Sequence, residues 1–326
     1  MLGTVTHMRV AYLVLAHTNP RHFARLVGAL ETPTACVFAH IDAKADLRLF
    51  AESCKSSGSV RFCTNRVDVR WGEFSLLQAS LDLLIEALRS HDNFEYFVLL
   101  SGADYPLRSA QYIKAFLERH SGTQFMNLVK LPCIELNKPM SRLITYRFQY
   151  SLLPGGLMLA KVDRLLRRWQ LLPRLTRDPV QHLGDLIPFA GSQWWALTRD
   201  AGEYVIAFVR DRPRVMQYFR NVIIPDELAI HTILGNSPFR ARIRRGLTYT
   251  DWSEGGESPS LIDMRHVLRF EAVNEVRGSG PYGEGELLFA RKFTDASEAV
   301  VHRIDRMIAR KERARDRPRV ARGNVG

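Results

Sequence analysis

The sequence predicts an α/β fold, a mostly parallel, doubly wound sheet with flanking helices. Three apolar runs rich in β-branched and aromatic residues, Arg9 to Ala16, Ala35 to Ile41 and Tyr96 to Leu100, lack the polar alternation of a sheet with one wet face. They read as strands buried on both sides. Helical patterns separate them, and such alternation is what a parallel sheet with crossover helices requires.

Taken in order, the first run ends at His17-Thr18-Asn19-Pro20, and a helical pattern follows to Leu30. The second run ends at Asp42 and completes a β-α-β unit. A short strand is expected at Val60 to Cys63, then a loop from Asn65 to Gly72. Phe74 to Arg89 aligns Leu77, Leu81, Leu84, Ile85 and Leu88 on one helical face. The third run passes straight into Ser101-Gly102-Ala103-Asp104-Tyr105-Pro106. His17, Asp42 and Asp104 thus follow the carboxyl ends of predicted strands, where open α/β sheets bind ligands.

The second half is less regular. Phe125 to Leu131 is predicted as a strand, and the stretch to Pro154 holds Arg142, Tyr146, Arg147 and Tyr150, a mix suited to a polar ligand. Leu159 to Trp169 reads as a basic amphipathic helix with Arg164, Arg167 and Arg168, an exposed face that also suits a membrane or partner. Gly191 to Thr198 reads as a strand that starts at a glycine, where backbone or ligand must approach closely. Trp194 and Trp195 would face opposite sides, one in the core and one a platform for a sugar ring; packing for both is an even alternative. Arg199 to Arg210 is helical.

Ile223 to Leu234 is predicted as one helix, with Pro225 at the first position and Asp226 and Glu227 in a first turn that favours negative charge. A carboxylate against the apolar wall of Leu228, Ile230, Ile233 and Leu234 can act as a base, but capping is the commoner use of such acids. Arg240 to Trp252 is basic and β-like. Gly278 to Gly285 is expected to be mobile, and it leads into Leu287 to Phe293, where two basic residues framed by aromatics suit a phosphate.

At 326 residues and 46% hydrophobic, the chain suits one large domain or two small ones. It has no apolar run of about 18 residues and no signal-peptide pattern, so a soluble, cytoplasmic protein is expected. Cys36, Cys54, Cys63 and Cys133 show no metal-binding spacing and are expected to be free thiols. The glycine signatures of dinucleotide-binding, P-loop and serine-hydrolase enzymes are missing. Residues Arg303 to Gly326 carry nine Lys or Arg against three Asp or Glu, half of the net +12. Such a tail attracts an anionic membrane leaflet or nucleic acid, and a solvated terminus accounts for it equally well.

Several short stretches, in this order, resemble glycosyltransferase family 14, which holds the core-2/I-branching β-1,6-N-acetylglucosaminyltransferases and the peptide O-xylosyltransferases. They are Ala39-His40-Ile41-Asp42 with Lys44, Val69-Arg70-Trp71-Gly72, Leu100 to Leu107, Gly191-Ser192-Gln193-Trp194-Trp195, Pro225-Asp226-Glu227 and Phe289-Ala290-Arg291-Lys292-Phe293. The resemblance spans roughly Val10 to Phe293. It implies a GT-A fold that binds a UDP-sugar and inverts the anomeric centre, with Glu227 as catalytic base, Asp42 on the nucleotide, and Lys292 with Arg291 on the diphosphate. Within this frame His17, Trp71 and Asp104 are assigned to the nucleotide-sugar, and Arg142, Tyr146, Trp194, Trp195 and Trp252 to the acceptor. Asp226 is left to the helix cap.

No Asp-x-Asp metal motif occurs. The expectation is therefore no metal and no other cofactor, with Arg291 and Lys292 meeting the charge on departing UDP. Asp104 would be structural or bind a sugar hydroxyl. The expected organisation is a single catalytic domain, 1–302, with a nucleotide-binding half to about 124, and a basic tail, 303–326. The anchor, stem and disulfide framework of the family's Golgi members have no counterpart, so a bacterial-style cytosolic member is expected, peripheral at the inner face of the membrane through its tail. Its expected partners are a UDP-sugar and a glycan, glycolipid or polysaccharide acceptor, with no specific nucleic acid. The alternative is a non-catalytic glycan- or nucleic-acid-binding protein using the basic surface, which needs no acid at Glu227.

Overall fold

The computed structural model describes residues 8–148 except 56, residues 175–316 except 257, and between them 158, 159, 161, 162, 165, 166 and 169. Tyr150 and the arginines of the predicted Leu159 to Trp169 helix lie outside the described residues. In chain order the strands are β1 (Val10–Ala16), β2 (Ala35–Ile41), β3 (Val60–Phe62), β4 (Tyr96–Ser101), β5 (Asp104–Pro106), β6 (Gln124–Met126) and β7 (Val129–Lys130). They continue with β8 (Phe189–Ala190), β9 (Trp195–Thr198), β10 (Ile243–Arg244), β11 (Thr248–Thr250), β12 (Arg277–Gly278), β13 (Gly285–Glu286) and β14 (Phe289–Arg291).

The central sheet has seven strands in the order β10-β6-β9-β4-β1-β2-β3. All its pairings are parallel except those of β9, which runs antiparallel to β4 and to β6. The mostly parallel α/β architecture is the one expected. Successive side chains of a strand point to opposite faces, and β1 shows why its run lacks alternation. Ala11, Leu13 and Leu15 pack with Leu77, Leu81 and Leu84 of the Phe74–Arg89 helix, while Tyr12 and Val14 pack with Phe23, Leu26, Val27 and Leu30 of the Pro20–Leu30 helix. Each such leucine, fully buried, is worth about 2 kcal/mol.

A second sheet, β11-β14-β5, carries the other core. The helices Met264–Glu271 and Glu298–Asp316 cover it, burying Val267, Phe270, Val301, Ile304 and Met307 against Leu287 and Phe293. The boundary expected at Arg303 therefore falls inside a helix: Arg303 itself forks onto Glu271 at 2.8 and 2.7 Å. The dense charge of this segment conceals an apolar stripe at i, i+3 and i+6, which is what docks it.

Three other segments differ from the sequence reading. Ile223 to Leu234 is not one helix: Pro225–Glu227 is a 3-10 turn, and the α-helix Ala229–Gly235 starts beyond Leu228, whose φ is −123°. Gly278 to Gly285 forms the tip of the β12–β13 hairpin, with Gly280 and Gly283 at φ 127° and 85°. The Phe125 to Leu131 strand is two short ones, β6 and β7, in different sheets. Among the described residues no helix is long and apolar enough to cross a membrane, and Cys36, Cys54, Cys63 and Cys133 are free thiols.

Candidate functional site

A cleft of about 420 Å³ opens at the carboxyl ends of β1, β2 and β4. His17, His40, Asp42, Lys44, Trp71, Ser101, Gln193, Trp194 and Arg291 line it, with Leu15, Ala16, Ala45, Val69 and Leu76 as its apolar wall. Asp42, buried at the end of β2, accepts the Lys44 backbone N–H at 2.9 Å and its Nζ at 3.0 Å. The Arg66 guanidinium clamps the same turn, donating to the carbonyls of Ile41, Asp42 and Ala45. His40 Nε2 accepts the Val67 N–H at 2.9 Å; the ring is held neutral, since burial above all lowers its pKa. Burial likewise lowers His17, with Asp42 opposing and Lys44, Arg291 and Lys292 adding to the shift. At Gly102 a Cβ would come within 2.6 Å of the Ala16 side chain. The β4–β5 turn can close on the end of β1 only with glycine there.

Arg291 forms the far wall. Antiparallel pairing of β14 with β5 sets it opposite Asp104, and its NH1 donates to Asp104 Oδ1 at 3.1 Å. Asp104 Oδ2 accepts the Ser101 N–H at 3.0 Å. Asp104 is completely buried, which raises its carboxyl to about 6 against the opposing pull of Arg291. On its other side the guanidinium lies 4.4 Å from the centre of the Trp194 ring, a cation–π contact. Asp104 therefore does not reach the cleft; it braces the arginine that does. Lys292, next along the strand, donates to Ser258 Oγ at 3.1 Å and is not among the lining residues.

Glu227 sits on the 3-10 turn. Ile224, just before it, has φ 57° and ψ 61°, a left-handed conformation costly for a β-branched residue. Neighbouring segments hold it there. The Ile224 N–H and Arg147 NH1 both donate to the Gly72 carbonyl, at 3.2 and 2.9 Å, and the Gly191 N–H donates to the Glu227 carbonyl at 3.1 Å. Glu227 Oε2 accepts Lys138 Nζ at 2.7 Å and Arg142 NH1 at 2.9 Å. Lys138 Nζ also donates to the Gly191 carbonyl at 2.7 Å. A Cβ at Gly191 would overlap the Asn127 carbonyl oxygen at 1.7 Å, so the close approach expected there is of backbone. From Gly191 the chain runs through Gln193 and Trp194 into the cleft, which joins the two regions.

Asp226 is not the open helix cap expected. It is 7% exposed, its Oδ1 has no hydrogen-bond partner, and the backbone N–H that favours its charged form is its own. Burial first and the Glu227 charge second raise its carboxyl to about 7. The physical reason is the left-handed Ile224 and the break at Leu228, which turn this acid inward rather than over the N–H groups. His231 is buried too, its Nε2–H donating to the Ser192 carbonyl at 3.0 Å, and burial lowers it to about 3.

Among the expected residues, His17, Asp42, Trp71, Trp194 and Arg291 meet at the cleft, and Arg142 meets Glu227. Trp195 is 3% exposed on β9, a core residue rather than an acceptor contact. Tyr146 packs on Phe148 and under the Arg177 guanidinium, 4.8 Å away in each case. Trp252 is exposed on the loop beyond β11 and does not line the cleft. Lys138 and Tyr282 escaped sequence reasoning; the Tyr282 phenol is raised by burial and then by the Glu227 charge, which places it within electrostatic reach of that carboxylate. Nothing in the local pattern marks either residue, since both act through groups far away in the chain. Among the described residues no three His, Cys, Asp or Glu side chains are grouped as metal ligands.

A family model described as Core-2/I-Branching enzyme matches residues 10–277. The chain is 26% identical over 312 residues to Xylosyltransferase 2 of Rattus norvegicus, covering 88% of this chain and 32% of that protein. It is 27% identical over 313 residues to Xylosyltransferase 2 of Homo sapiens, with the same coverage of 88% and 32%. Xylosyltransferase 1 of Canis lupus familiaris is 25% identical over 252 residues, 76% of this chain and 24% of that protein. The chain thus spans less than a third of the length of these relatives.

Proposed function

The chain belongs to the Core-2/I-Branching enzyme family, glycosyltransferase family 14, and from that premise we propose that it is an inverting transferase moving xylose or N-acetylglucosamine from a UDP-sugar to an acceptor hydroxyl. The relatives' names make xylose the first donor to test. The observation that carries the proposal is the link between Glu227 and the cleft: one short segment, Gly191 to Trp194, bonds to the Glu227 turn at one end and stacks on Arg291 at the other.

In a single displacement the acceptor oxygen attacks the anomeric carbon as its proton passes to Glu227. The bond from that carbon to the diphosphate oxygen breaks, and its electron pair leaves with UDP. Lys138 and Arg142 grip Oε2, so Oε1 is the oxygen assigned to the proton, and the grip fixes its direction. Arg291, braced by Asp104 and Trp194, meets the negative charge on the leaving group, with Lys292 beside it. A donor already aimed at the place where charge develops needs no reorganisation during reaction. Asp42 and His17 are assigned to the nucleotide, and Trp71 to the open rim.

A panel of UDP-sugars tests this, following UDP release with and without acceptor and with and without chelator. Release from UDP-xylose or UDP-N-acetylglucosamine, unchanged by chelator, is expected. A strict requirement for added divalent metal would overturn the role given to Arg291 and Lys292. Failure of UDP to bind at all would overturn the transferase proposal.

A further inference from the structure

A second cavity, of about 440 Å³, opens between the helix Ala110–Arg119, the β6–β10 edge of the central sheet and the β12–β13 hairpin. Its apolar wall is aromatic: the ring centre of Phe116 lies 4.3 Å from that of His120 and 5.3 Å from that of Phe125. Its charges do not balance. Glu286 is taken by Arg108 at 2.9 Å and by the Tyr112 hydroxyl, and Glu275 by Arg277 at 2.9 Å. Arg119, Arg244 and Arg245 have no carboxylate partner among the described residues, and Glu284 is the one lining acid left to oppose them.

Two of these arginines are held in place by backbone. Arg244 NH1 donates to the carbonyls of Ala241 and Ile243 at 3.0 and 2.8 Å. Arg245 NH1 donates to the Gly283 carbonyl at 3.1 Å, and its stem passes under the hairpin, where a Cβ on Gly278 would come within 2.3 Å of its Nε. That Nε–H is buried with no partner. Three guanidinium groups with no carboxylate of their own around one cavity make a site short of an anion. The volume far exceeds a bare phosphate and matches a small-ligand pocket with an apolar wall and a few placed polar groups.

We propose that this cavity binds an acidic saccharide unit, a sugar bearing a carboxylate, sulfate or phosphate ester, with the anion on Arg119, Arg244 and Arg245 and the ring against His120 and Phe116. The saccharide part rests on the glycosyltransferase proposal; the anion part does not. Tyr282, at the tip of the same hairpin, feels the Glu227 charge. The hairpin thus connects the cavity with the Glu227 side, where a neighbouring residue of an acceptor chain would lie.

The test is calorimetric or saturation-transfer NMR titration of the full chain, at constant ionic strength, with glucuronate, glucose 6-phosphate, glucose and inorganic phosphate. Glucuronate and glucose 6-phosphate are expected to bind at least about tenfold more tightly than glucose or inorganic phosphate. The double variant Arg119→Gln/Arg244→Gln should weaken them at least about tenfold, with UDP affinity within about twofold of wild type. Should the double variant unfold, Arg119→Gln alone, on an exposed side chain, is expected to weaken them about threefold. Equal binding of inorganic phosphate, indifference to these substitutions, or displacement by UDP would each overturn the proposal. Absence of acidic-sugar binding in a protein that still turns over a UDP-sugar would sink this inference and leave the transferase proposal standing.

Discussion

At the cleft, His17, Asp42 and Ser101 stand where the strands that carry them end, so the sheet positions them directly. At the Glu227 turn, nothing local does so: the carboxylate is gripped by Lys138 and Arg142, 89 and 85 residues away, and the backbone by Gly72 and Gly191. A sheet built from many pairings tolerates the loss of one contact. A left-handed isoleucine with a few distant anchors should not. The contrast predicts that substitutions near Glu227 act on turnover, while those at the cleft act on UDP affinity.

The largest effect is expected from Glu227→Gln. Loss of a general base costs about 10²- to 10⁴-fold in kcat, with UDP affinity kept, as steady-state kinetics and UDP titration would show. Wild-type turnover would break the assignment and reduce Glu227 to an anchor for Lys138 and Arg142.

Arg291→Gln should act on the other side of the contrast. UDP affinity is expected to fall by about 10- to 100-fold, the scale of a lost charge-assisted contact. It should also destabilise the fold by about 3 kcal/mol, because Asp104 loses the partner of a buried pair. That cost depends on pH. Asp104 already titrates at about 6, and Arg291 is the main group opposing a further rise, so the variant lifts it higher above its unfolded value. A carboxyl raised on folding contributes stability that is present below the unfolded pKa and lost as pH rises through the folded one. Denaturant unfolding should therefore show a larger deficit at pH 8 than at pH 5, and a deficit that is flat or reversed with pH would count against Asp104 as a buried brace.

Lys138→Met sharpens the comparison further. It leaves Glu227 with Arg142 alone and the Gly191 carbonyl without its side-chain donor. A fall of about tenfold in kcat and about 2 kcal/mol in stability is expected, with UDP affinity unchanged. A change in UDP affinity equal to the change in turnover would mean that the two regions act as one.

The smallest effect concerns Asp226, which is raised to about 7 by burial and by Glu227. By the same sign, its contribution is present below about pH 4 and lost as pH rises through 7. Asparagine mimics the neutral form, so Asp226→Asn should melt close to wild type at pH 5 and a few degrees above it at pH 8. Thermal melts across that range that stay parallel would show that Asp226 is not held neutral.

The strands and the Phe74–Arg89 helix were legible because burial on two faces or one leaves a period in the chain. Asp104 and Arg291 were both visible as charged residues beside a strand, but their partnership was not, since β5 and β14 pair across 187 residues. Asp226 and Glu227 were told apart in the sequence only by the family resemblance; that one is buried and the other meets Lys138 follows from how the turn after the left-handed Ile224 packs. The terminal helix was hidden because composition counts its arginines, whereas docking depends on Val301, Ile304 and Met307.

The amino-acid sequence by itself determined the architecture, the polar residues at the strand ends and, through short ordered motifs, the family, because each is written in neighbours along the chain. Tertiary structure alone decided that Trp195 is core, that Asp104 braces Arg291, and that Lys138 reaches Glu227. Whether a side chain meets water, an ion or a wall depends on which distant segment folds over it, and that is a property of the packed chain.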